Sequence, residues 1–199
     1  TWSWQKVLGG EAAHGMLALS PKAQERLQNF IPNWPIPKIF RLANQKKIIS
    51  GIFEGSTINT PSMICVEDVL DALKWVESIG GSNEIEKISD ENLKIVDDWV
   101  NKSEWVKFMC EDRDSRSATS ITLSIKDEWF DKFKEEEQRE TVKKIVSMLN
   151  KEGVANDING YPKAPPSLRI WGGATVQNKD MKALLPWIDW AYNSVKSNA

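Results

Sequence analysis

Met63, Val66, Val69, Leu70, Leu73 and Val76 recur at helical spacing and mark one stripe for a helix to bury. Thr60 and Pro61 offer an N-cap and a first helical residue for that helix, and Gly80-Gly81 offers its stop. Ile85, Ile88, Leu93, Ile95, Val96 and Trp99 predict a second amphipathic helix over Glu84–Val100. Val142, Ile145, Val146 and Leu149 place the inner face of a third, behind the charge-rich stretch Lys126–Glu140. Met181, Leu184, Leu185, Ile188 and Val195 do the same for a terminal helix over Lys179–Lys196. The period changes to two in Ile121-Thr122-Leu123-Ser124-Ile125, which predicts a half-buried strand, and Ser167–Trp171 reads as a short strand before a Gly172-Gly173 turn. Nearer the start, Leu17 and Leu19 suggest a short strand running into a helix capped by Ser20, with Pro21 at its first position. Alternate prolines make Asn33–Lys38 a loop, and Phe40–Phe53 has room for a hairpin around Asn44-Gln45.

Beyond residue 80 or so the order helix, strand, helix, strand, helix fits a small α/β layer of its own. A boundary in Ser78–Asn83 therefore divides the chain into residues 1–80 and 81–199. No internal repeat or low-complexity tract is visible.

Composition narrows the classes. The 199 residues are 41% hydrophobic, enough for a real core and too apolar for general disorder. A net charge of −2 gives no electrostatic reason to bind nucleic acid or an anionic membrane. The longest charge-free run, Gly55–Val66, is far short of the ~20 apolar residues of a membrane helix. The first residues carry no start Met, basic leader or apolar core of a signal peptide, so the chain reads as a piece of something longer. Cys65 and Cys110 show no metal-ligand spacing, which leaves a reducing, cytoplasmic setting as the expectation and no metal site. The single histidine, His14, reads best as packed or hydrogen-bonded. Of the ten tryptophans, Trp75, Trp99, Trp187 and Trp190 fall on helical patterns as packing residues.

Three places could carry chemistry. Lys6 precedes a Gly9-Gly10 turn and follows two tryptophans and Gln5; an amine desolvated there could attack an aldehyde, although an ordinary surface lysine explains the same residues. Asn59-Thr60-Pro61-Ser62 at a helix start offers donors that suit a phosphate, or plain capping. Arg169, between Leu168 and Ile170 where a core residue is expected, is either paired with an acidic side chain or set to grip a carboxylate at two points.

Ser3–Leu17, Trp34–Arg41, Thr57–Met63, Arg116-Ser117 and Leu168–Trp171 together resemble, colinearly from about Trp4 to the C-terminus, the phosphoserine aminotransferases in the variant found in many alphaproteobacteria and some archaea. The resemblance spans about the C-terminal half of that family's length. It implies an α/β chain from the aspartate-aminotransferase-like fold of fold-type I transferases dependent on pyridoxal phosphate, comprising the end of the large domain and the small C-terminal α/β domain. It also implies a cytoplasmic homodimer of serine biosynthesis, with shared active sites that move an amino group from glutamate to 3-phosphohydroxypyruvate, giving phosphoserine and 2-oxoglutarate. By matching motif, Lys6 resembles the lysine that holds the cofactor and shuttles the proton, Gln5 its cofactor-binding neighbour, and Asn59 and Thr60 the pair that reaches the cofactor phosphate from the partner subunit. Arg169 resembles the clamp on the substrate α-carboxylate. The family's His-Arg pair for the distal substrate group is missing from Gly160–Ser167, where Lys163 offers a point charge instead. That departure keeps a transaminase of serine–glyoxylate type as an alternative. A non-catalytic module with Trp2, Trp4, Trp34 and Trp171 exposed together is another. Since the family's residues against the pyridine ring lie upstream of Thr1, the chain alone is expected to have little or no activity.

Overall fold

The computed structural model describes residues 1–198. It divides into two compact units, Thr1–Gln5 with Gly9–Leu73, and Lys6–Leu8 with Lys74–Ala199.

In the first unit, Met16 and Trp2 exchange two backbone hydrogen bonds at 2.8 and 3.0 Å. No strand forms at Leu17–Leu19, because those residues have no neighbouring strand to pair with. Helix α1 (Pro21–Asn29) begins as expected, with the Ser20 side chain accepting from the Ala23 N–H at 3.2 Å and Pro21 at the first position. Strands β1 (Ala43–Asn44) and β2 (Lys47–Ile48) form the hairpin. Its two turn residues, Gln45 and Lys46, have φ of 47° and 62°, the left-handed pair that a two-residue hairpin turn demands.

Helix α2 (Met63–Ile79) starts later than Thr60 and Pro61 suggest. Ser62 caps it: its Oγ accepts from the Cys65 N–H at 3.5 Å and its carbonyl from the Val66 N–H at 3.1 Å. The stripe expected to be buried is only partly so. Cys65 and Val69 are buried, whereas Met63, Leu70 and Leu73 are exposed.

The second unit is the α/β layer. It runs α3 (Ser82–Val100), β3 (Val106–Phe108), β4 (Ser120–Ile125), α4 (Glu128–Asp131), α5 (Glu135–Lys151), β5 (Leu168–Trp171) and α6 (Asn178–Ser197). The strands form an antiparallel sheet in the order β3-β4-β5, in register at Phe108 with Leu123, Ile121 with Ile170 and Thr122 with Arg169. Alternation sends Val106, Phe108, Ile121, Leu123, Leu168 and Ile170 to one face, where they meet Val96, Ile145, Leu149, Met181 and Ile188 from the helices. α6 packs against both α3 and α5. Strand β3 has too few residues to register as a pattern in the sequence. Beyond β5, Asn159 bridges Leu168, and the Arg169 N–H donates to the Ile158 carbonyl at 2.8 Å.

Buried polar groups pin these elements. Asn92, fully buried on α3, donates to the carbonyls of Gly172 (3.1 Å) and Val176 (2.9 Å) and so holds the turn after β5. The Asp189 carboxylate on α6 accepts from the indole N–H groups of Trp99 and Trp105, each at 2.8 Å, and the Trp105 ring lies flat on Tyr192 at 3.8 Å. Asp127 caps α4 and accepts from Lys196 and Tyr192, which hold its carboxyl down at about 2. Burial, then the Asp127 carboxylate, pushes the Tyr192 hydroxyl well above the usual phenol range.

Asp189→Ala strands two indole donors and is expected to cost about 3 kcal/mol in urea unfolding followed by tryptophan fluorescence, with Asp189→Asn in between. The folded chain keeps Asp127 ionised further into acid than the unfolded chain does, so the unfolded state takes up that proton first. Asp127 therefore contributes stability above about pH 4, the unfolded value, and loses it as pH falls to about 2. Stability curves of the native chain and Asp127→Asn should converge across that window. A gap that persists unchanged below it would contradict the assignment.

Candidate functional site

In the first unit, the Gly10 N–H donates to the Trp4 carbonyl at 2.9 Å and ties Gly10 to the segment that ends at Gln5. A Cβ on Gly10 would stand 2.6 Å from the Trp4 ring, so only glycine permits this approach over the buried indole. The His14 ring meets Trp4 edge to face at 5.2 Å, and its Nε2 accepts from the Ser62 N–H at 2.9 Å. The histidine is thus packed and hydrogen-bonded, and it fastens the segment ending in Ser62 to the Trp4 segment. The donors at Asn59 and Thr60 lie upstream of α2 in open chain, because the helix begins only at Met63 and the Ser62 N–H is already taken. Both side chains are exposed and have no hydrogen-bond partner among the described residues. Lys6 is also exposed, without an ion pair among those residues, so the crowding expected around its amine is not supplied there. Gln5 is half-buried.

In the second unit, Arg169 stands on the sheet face opposite the core, since Leu168 and Ile170 take the inner positions of β5. The core-facing position expected from its neighbours is corrected by strand alternation. Its side chain is nonetheless only 18% exposed, and it uses few of its donors. One terminal nitrogen reaches the solvent-exposed Asp157 carboxylate at 3.3 Å, the guanidinium lies over the Tyr161 ring at 4.6 Å, and the buried Nε has no acceptor. With Asp157, Trp171 and Asp180 it lines a cavity of about 430 Å³. A guanidinium with spare, half-desolvated donors is chemically suited to a carboxylate. Lys163 is exposed in the Gly160–Ser167 loop. That loop is braced by the Gly160 N–H on the Ser167 carbonyl and the Ala164 N–H on the Tyr161 carbonyl, both at 2.9 Å.

Arg116, part of the sequence resemblance, is spent internally. It donates to the carbonyls of Cys110 and Glu111 and to the buried Asp97, and stacks on Phe108 at 3.9 Å. Trp4 is buried while Trp2 and Trp34 are exposed, so the four tryptophans of the binding-module alternative do not share an exposed face. Trp187 and Trp190, expected as packing residues, pack edge to face on each other yet stay 41% exposed. Among the described residues no group of three or more His, Cys, Asp or Glu could hold a metal ion, and no helix is long and apolar enough to cross a membrane.

Solved structures show the fold. A phosphoserine aminotransferase from Bacillus circulans subsp. alkalophilus matches 72% of this chain and 36% of its own at a TM-score of 0.59 and 22% identity. A structure of radiation damage of the Schiff base in phosphoserine aminotransferase matches 78% and 40% at 0.60 and 17%. The chain carries part of the α/β fold of the fold-type I transferases dependent on pyridoxal phosphate. Among curated proteins, its homologues are phosphoserine aminotransferases. Those of Methanosarcina mazei and Methanosarcina barkeri are 48% and 49% identical to it over 196 residues. The match covers 98% of the chain, which spans about half the length of these curated relatives. No family model matches the chain.

A Cβ on Gly160 would lie 2.2 Å from the Ser167 Oγ, which is itself held on the Pro165 carbonyl at 2.8 Å. Gly160→Ala should therefore open the loop at a cost of about 1–3 kcal/mol. Hydrogen exchange at the Gly160 and Ala164 amides should speed up while α5 stays protected.

Proposed function

We propose that this chain is the C-terminal part of a phosphoserine aminotransferase, in which glutamate donates its amino group to 3-phosphohydroxypyruvate, giving O-phosphoserine and 2-oxoglutarate. The observation that carries the proposal is the match to two curated phosphoserine aminotransferases at 48–49% identity along nearly the whole chain. In this reading residues 1–80 end the large cofactor domain and residues 81–199 form the small domain, in a cytoplasmic homodimer with shared active sites.

The residues fit pyridoxal phosphate. Lys6 offers an amine that nothing among the described residues claims, and Asn59 and Thr60 offer unpartnered side-chain and backbone donors of the kind a phosphate takes. The cofactor, when bound, supplies the electron sink for a deprotonated α-carbon. Lys6 Nζ carries the proton to and from that carbon. Gln5 would contact the cofactor, Asn59 and Thr60 would hold its phosphate from the partner subunit, and Arg169 would grip the substrate α-carboxylate with the donors that Asp157 leaves free. Lys163 neutralises the distal phosphate of one substrate and the γ-carboxylate of the other. The wall that desolvates Lys6 comes from polypeptide beyond the described residues, so the 199-residue chain by itself turns over little or nothing.

Treatment with pyridoxal phosphate and borohydride, followed by peptide mass mapping, tests this. In a polypeptide of the relatives' length, label should concentrate on Lys6 over the chain's other 19 lysines, and Lys6→Arg should abolish it. Label scattered across surface lysines in that polypeptide would overturn the assignment.

A further inference from the structure

Arg139, on α5, reaches out of its helix to the loop that carries Lys163. Its Nη1 donates to the Pro162 carbonyl at 3.2 Å and its Nη2 to the Ala164 carbonyl at 2.8 Å. Lys163 is the residue between those two carbonyls. The third arm, Nε, donates to Glu135 one turn earlier on the same helix at 3.1 Å, and this fixes the plane of the fork. On the other side of the loop, Tyr161 lies under the Arg169 guanidinium at 4.6 Å. Arg139, Tyr161, Pro162 and Ser167 line a cavity of about 250 Å³ between α5 and the loop. A paired exposed arginine on a helix ordinarily ends its reach at an i,i+4 carboxylate, with an effect of a few tenths of a kcal/mol. Here the same side chain also holds the two carbonyls that flank Lys163, in a loop with no other side-chain hydrogen bond to α5 among the described residues.

We propose that Arg139 is a positioning residue for substrate recognition: it sets the conformation of the 160–167 loop, and through it the places of the Lys163 ammonium and of the Tyr161 ring on Arg169. This rests on the reading of Lys163 and Arg169 as substrate-binding groups. Arg139 touches no substrate itself. A lysine cannot replace it, because an ammonium on a flexible stem does not span two carbonyls and a carboxylate in one plane.

The test is a double-mutant cycle between Arg139 and Lys163 in a polypeptide of the relatives' length, read by steady-state kinetics with O-phosphoserine and 3-phosphohydroxypyruvate. Arg139→Ala and Arg139→Lys should each raise KM for the phosphorylated substrate about tenfold, with a smaller change in kcat. Arg139→Ala combined with Lys163→Ala should be no worse than Lys163→Ala alone. Amide exchange should quicken at Ala164 and stay slow at Leu149, which separates loop release from general unfolding. A Lys163→Ala effect with Arg139→Ala silent, or with the two effects adding, would overturn the positioning role and leave the Lys163 reading intact. So would a kcat loss that Arg139→Lys restores in full. A silent Lys163→Ala would instead overturn the reading of Lys163 on which the proposal rests.

Discussion

Leu168 and Ile170 anchor β5 in the core of the second unit, and with a side-chain period of two that burial leaves Arg169 no choice of direction. The candidate carboxylate clamp is thus fixed by an apolar requirement on the opposite side of the sheet. A slip of one residue would put the guanidinium among Ile121, Leu123 and Ile145 and turn two aliphatic side chains out to solvent. The register with β4, Ile121 on Ile170 and Thr122 on Arg169, and the packing of α6 against α3 and α5 all serve to hold that one alignment. Rigid scaffolding by strands and helices is what gives a recognition group its precision.

The first unit is built on different terms. Its buried apolar residues are Trp4, Cys65 and Val69, while Phe30, Ile31, Trp34, Phe40 and Met63 stand exposed. Specific polar contacts take over part of the work that burial does elsewhere: the His14 imidazole joins two segments 48 residues apart through one hydrogen bond. Cys65 adds a weaker link to Glu11 at 3.7 Å.

The sequence was most legible where one face of an element is buried. The four long helices lie within a few residues of their periodic patterns, and Ser20-Pro21 opens α1 as its residue types demand. It was least legible where burial is absent or the element is short. The α2 stripe looks like a core stripe because hydrophobicity alone does not say what covers it, and β3 is too brief to show a period. Of the site residues, a charge between two aliphatics marks Arg169 in the sequence. Nothing marks Arg139, because an Arg four residues after a Glu reads the same in a loop clamp as in a surface pair.

A three-stranded sheet leaves two open edges, each a template for pairing with another chain. On the β3 side the edge is only Val106–Phe108. On the β5 side the Arg169 N–H is already donated to Ile158, and the Ser167 carbonyl is taken by the Gly160 N–H. The folded-back 158–160 segment thus occupies backbone groups through which a foreign strand would dock. The loop that frames the candidate substrate arginine also blunts the β5 edge of this small sheet against edge-to-edge pairing.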